Sequence, residues 1–112
     1  MQQPELSQVE WHDLPVRALS LSNAGVELLV TPFDDDSQTY LNPIALRIQG
    51  AITLDIQGIF SLDDLKGLEI TSFEFTESSD GKLDGKIEFL LGWPSKLWSI
   101  AFAKATWSFT HA

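Results

Sequence analysis

The stretch "EWHDLPV", Glu10 to Val16, sets a histidine directly before an aspartate. A histidine with a carboxylate behind it is the base and orienting partner of nucleophilic hydrolysis, but that chemistry also needs a placed hydroxyl and donors for an oxyanion. No nucleophile motif accompanies the pair. Adjacent side chains of an extended chain point to opposite faces, so His12 and Asp13 are not expected to meet. The competing reading is a polar turn that opens a strand: Trp11 packs inward, Asp13 accepts backbone N–H groups, and Pro15 keeps Leu14 extended. On that reading no catalytic residue is assigned. His12 remains a candidate contact in a binding face, and a hydrolase using His12 is the outlying alternative.

Metal chemistry has few ligands to draw on. The second histidine is His111, near the end of the chain, and cysteine is absent, which removes the usual zinc donors. Asp34, Asp35 and Asp36 are adjacent within "PFDDDSQTYLNP", whereas a calcium loop spaces its acids at alternate positions around a turning glycine. No metal and no cofactor is therefore expected. The three carboxylates read as a solvated loop, or as a surface that meets basic partners. Trp93 and Trp98 flank "PSKL", where aromatic side chains either anchor a partner or seal the end of a core.

Charge narrows the partner class. Sixteen Asp and Glu stand against seven Lys and Arg, for a formal charge of −9. Residues 1 to 56 hold eight of the acids and two of the bases, so that half alone nets −6. Such a chain repels phosphate backbones and anionic lipid and draws basic proteins. No nucleic acid and no membrane is expected as a direct partner. The lack of cysteine suits a reducing compartment, and "MQQPELSQVEW" has neither the basic start nor the apolar run of a signal peptide, so the cytoplasm is the expected location.

The elements that must position these residues are strands. A length of 112 residues with 44% hydrophobic content fits one domain with one core, residues 1–112. Apolar residues recur at every second position between Gly, Asp, Asn and Pro. "VRALSLS" and "GVELLV" form a hairpin about Asn23 and Gly25, which tolerate positive φ. From Ile44 the even positions are apolar or glycine as far as Gly58. That run is either one strand bent at Gly50 or a hairpin there; a three-residue loop or a bent strand keeps the apolar faces matched, and the bent strand is preferred because glycine inside a strand often marks a bulge or a sharp bend. "SLDDLKG" is the sole helix candidate, near residues 61–66, with Ser61 as cap and Gly67 as stop. "LEITSFEFTES" and "KLDGKIEFLL" flank an Asp80–Gly81 turn. In "LWSIAFAKATWSFTH" the bulky residues change parity between Phe102 and Trp107, which calls for a bulge near Ala103–Lys104. The sum is an all-β antiparallel sandwich or partly open barrel of about seven or eight strands. An edge strand such as the C-terminal one offers pairing with a second copy.

The opening "WHDLPVRALSL…GVELLV", with "SIAFA" at Ser99 to Ala103, resembles a loose family of small bacterial proteins that begin with an aromatic–His–Asp–x–x–Val/Ile pattern. Only Trp11, His12 and Asp13 match as a motif. Some members look like immunity proteins of bacterial toxin systems. The resemblance implies an all-β protein without an assigned catalytic residue. Together with the charge it points to a non-enzymatic binding protein for a basic partner, such as a toxin nuclease. A small-molecule or lipid carrier with a β-cavity near the tryptophans is the alternative.

Overall fold

The computed structural model describes Leu6 and residues 9–23, 25–34, 36–56, 63–91 and 96–111. These residues form an all-β fold with eight strands: β1 (Leu14–Ser22), β2 (Gly25–Val30), β3 (Phe33–Asp34), β4 (Thr39–Tyr40), β5 (Ile44–Asp55), β6 (Glu69–Glu77), β7 (Leu83–Leu91) and β8 (Lys96–His111). Six of them form a closed antiparallel barrel in the order β1-β2-β5-β8-β7-β6, while β3 and β4 make a two-residue ribbon of their own.

The barrel is two three-stranded meanders joined along two seams. Strands β5 and β8 pair over eleven residue pairs, from Ile44↔His111 to Asp55↔Ser99. Strands β1 and β6 meet only at Leu14↔Ile70 and Pro15↔Glu69. The outcome is thus a barrel rather than a sandwich, and it is closed rather than partly open, though by a short seam. The C-terminal strand is not an edge: β8 lies between β5 and β7 and is paired on both sides. Any pairing with a second copy must use a different strand.

Alternation explains the core. Val26, Leu28 and Val30 of β2 and Ile44, Leu46 and Ile48 of β5 face inward, each at most 2% exposed. Ile87, Phe89 and Leu91 of β7 meet them from the opposite wall. Removing this much apolar surface from water is the main stabilising term, on the order of 2 kcal/mol per large side chain. The interior is filled by side chains, with Phe89 and Phe109 among the largest fully buried, so it is not an open ligand cavity.

Residues 44 to 55 form one strand bent at Gly50, not a hairpin. Gly50 has φ +150° and a Cβ there would sit 2.9 Å from the Ala105 Cα, so the bend relies on glycine. Opposite it, Lys104 adopts φ +49°. The core face passes there from Trp98, Ile100 and Phe102 to Ala105 and Phe109. A bulge between Phe102 and Ala105 is what the parity change required.

The helix candidate is a single 3-10 turn, Asp64–Gly67, that begins later than the sequence signals place it. Asp63 occupies its N-cap position without a side-chain cap hydrogen bond, and Ser61 lies outside the described residues. The Asp80–Gly81 turn closes as expected: Gly81 has φ +81°, and Ser78 N donates to Lys82 O at 2.8 Å. Among the described residues no helix is long and apolar enough to cross a membrane.

Candidate functional site

At the end of the barrel where β1 starts and β2 ends, the chain builds a cleft of about 770 Å³. One side is the turn Glu10 to Pro15, the other the β3–β4 ribbon from Pro32 to Leu41. The turn hangs from Trp11, which is 8% exposed and stacks against Phe73 and Phe109 at ring-centroid distances of 4.8 and 5.6 Å. Its Nε1 donates to the Leu6 carbonyl at 2.8 Å, so the polar end of a buried indole is satisfied.

Beyond that anchor the chain reverses. Asp13 takes φ +62°, a left-handed conformation that Asp tolerates better than most residues, and Leu14 N closes the turn on the Trp11 carbonyl at 3.3 Å. The positive φ corrects the extended-chain expectation: His12 Nε2 and Asp13 Oδ2 approach to 3.5 Å. His12 Nδ1 lies 2.9 Å from the Thr71 carbonyl oxygen on β6. A carbonyl only accepts, so Nδ1 carries a proton. The Thr71 bond is the main reason that the His12 pKa is raised above the ordinary imidazole value; the Asp13 carboxylate comes next, and Glu69 and Glu10 add to it against some desolvation.

With one ring nitrogen donating to a carbonyl and the other facing a carboxylate, His12 is disposed towards the imidazolium form. It is poorly set to take a proton from a nucleophile, because a general base needs a free lone pair aimed at the group it activates.

The ribbon is held by its own polar groups. Asp34 Oδ2 accepts from Ser37 Oγ at 2.7 Å, and Asp34 Oδ1 accepts from Asp36 N at 3.3 Å. These bonds, the Ser37 hydroxyl first, lower the Asp34 pKa and keep the carboxylate ionised. Ser37 and Thr39 hydroxyls meet at 2.7 Å, and Leu41 N donates to Pro32 O at 2.7 Å, which pins the base of the loop. Phe33 and Tyr40 are direct partners across the ribbon and pack edge to face at 5.2 Å. Both remain exposed, Tyr40 at 61%.

The cleft therefore brings together His12, Asp34 and Asp36 from separate parts of the sequence. Asp35 and Trp93 lie outside the described residues. Trp98 is elsewhere: it is 3% exposed, opposite Phe89, and forms part of the floor of an apolar groove with Leu65 and Leu68. Glu10, Asp13, Phe33, Tyr40 and Leu41 were not among the sequence candidates, yet they line the same cleft. The signal for the aromatic pair was present in "PFDDDSQTYLNP", where Phe and Tyr bracket a turn-forming run, but four paired residues are too few to show alternation.

Among the described residues no Lys or Arg lines the cleft. Its chemistry is that of a cation acceptor: carboxylates for charge and aromatic faces for the quadrupole attraction that cations feel. Among the described residues no three His, Cys, Asp or Glu side chains converge to hold a metal ion. No protein-family model, curated protein or solved structure matches the chain.

Proposed function

We propose that this chain is a non-enzymatic, cytoplasmic binding protein whose cleft beside His12 takes a basic segment of a partner protein. The observation that carries the reading is the convergence of Glu10, Asp13, Asp34 and Asp36 with exposed Phe33 and Tyr40 in one cleft that no Lys or Arg lines among the described residues. A Lys or Arg side chain placed there gains charge pairing at its head and apolar contact along its stem. The −9 charge speeds the encounter with such a partner. A toxin nuclease inhibited by occlusion of its cationic surface has this chemistry, in keeping with the resemblance to immunity proteins.

Isothermal titration with a Lys/Arg-rich peptide, against a Glu-rich peptide of equal length, tests the reading. The basic peptide should bind and the acidic one should not. The combined substitution Glu10→Gln, Asp34→Asn, Asp36→Asn should weaken the basic peptide roughly tenfold or more, each exposed pair contributing up to about 1 kcal/mol. Equal binding of both peptides, or an unchanged affinity in the triple variant, ends it.

A further inference from the structure

At the opposite end of β1 and β2, strand β5 outruns its neighbour. Its pairing with β2 stops at Val26↔Ile48, because the β1–β2 hairpin has already turned back at Asn23 to Gly25. Its pairing with β8 continues to Asp55↔Ser99. The second half of β5 follows the bend at Gly50, and among the described residues no strand pairs with the outer edge of Ala51 to Leu54. Natural edge strands are guarded by Lys, Pro or an inward charge. Ala51, Ile52, Thr53 and Leu54 include none of these.

We propose that two copies of this chain meet edge to edge along this half of β5, about a two-fold axis at Thr53. The choice of a second copy rests on charge. The cleft beside the strand, about 590 Å³, is lined by Leu21, Asn23, Gln49, Ile52 and Leu54 among others, and none of its described lining residues is ionisable. On a chain of net charge −9, two copies repel wherever acidic surfaces face each other, and an uncharged lining lowers that repulsion here. Leu21 and Leu54, 48% and 43% exposed, supply apolar surface to bury.

The register is self-consistent. Antiparallel pairing centred on Thr53 sets Ile52 against Leu54 of the other copy, on one face, and Ala51 against Asp55. Such aliphatic cross-strand pairs are of the stabilising kind.

Thr53 is exposed and sits on the axis, so it gives a clean test. Sedimentation equilibrium in moderate salt should show a dimer whose population rises with concentration. Thr53→Glu and Thr53→Lys change the net charge in opposite directions, yet each sets like charges against each other on the axis. Each should weaken the dimer roughly tenfold or more, and mixing the two should restore a heterodimer. Circular dichroism melts confirm that both variants are folded. A monomer at all concentrations overturns the proposal, and so does a dimer that both substitutions leave intact.

Discussion

The two ends of the β1–β2–β5 meander are built differently. At one end a cleft is lined by Glu10, His12, Asp13, Asp34 and Asp36; at the other, by Leu21, Asn23, Gln49, Ile52 and Leu54, with no ionisable group among the described residues. The charged end turns its chain at Asp13 and Gln38, non-glycine residues held at positive φ, and its ribbon is tied by polar side chains. The uncharged end turns on glycine and close backbone approach. One end suits attraction of an unlike partner over distance, and the other suits short-range contact where nothing repels. Placing both on one small barrel keeps the acidic cleft clear of the surface where two copies are proposed to meet.

The largest effect belongs to the glycine that shapes the uncharged end. Gly25 has φ +123°, and a Cβ there would lie 2.4 Å from the Ile48 carbonyl oxygen. Gly25→Ala combines backbone strain with a collision against paired backbone. It should cost about 2–4 kcal/mol and lower Tm by roughly 10–20 °C, read by thermal unfolding. At the charged end, Asp13→Gly should change stability by no more than about 1 kcal/mol, since glycine relieves a positive φ while loosening the unfolded chain. Equal losses in the two variants would erase the distinction between the ends.

Much of the uncharged end was legible in sequence, and little of the charged end. Gly25 and Gly50 announce themselves because few other residues adopt the backbone they need, whereas Asn23 does not take the positive φ it tolerates; alternation from Ile44 onward marks one bent strand. The β3–β4 ribbon is set instead by local polar bonds, Asp34 to Ser37 above all, which leave no periodic trace. The charged cleft also joins residues some twenty positions apart, brought together only when β1 and β2 have paired. Adjacency misled at His12 and Asp13, since the contact depends on a left-handed residue that composition does not reveal. Closure of the barrel was equally hidden: it rests on Leu14↔Ile70 and Pro15↔Glu69, a long-range match that strand patterns do not specify.

Salt should separate the ends by sign. Screening weakens attraction between exposed charges, so raising ionic strength from about 0.05 to 0.5 M should reduce basic-peptide affinity at the charged cleft by roughly tenfold. The same change relieves repulsion between two copies of charge −9, so dimerisation along β5 should hold or strengthen. Calorimetry and sedimentation over one salt series give both trends. Two affinities falling in parallel would mean that the β5 contact is electrostatic after all.

The smallest effect comes from His12, the one described residue of the charged cleft that becomes a cation on protonation. Its pKa is raised, first by the Thr71 carbonyl and then by Asp13, so the stabilisation it gives is fully present below the unfolded imidazole value of about 6.5 and is lost as pH climbs through the folded one. Binding should run the other way. Loss of the imidazolium charge over the same pH range makes the cleft more negative, and basic-peptide affinity should rise by about twofold, a modest change because the ring is exposed and screened. Following the His12 ring proton by NMR should report the raised pKa directly. Asp13→Asn should bring it down only part of the way, because the larger cause, the Thr71 hydrogen bond, is untouched. A full return to the ordinary value in that variant would make Asp13, rather than the bond across the β1–β6 seam, the group that sets the charge of His12.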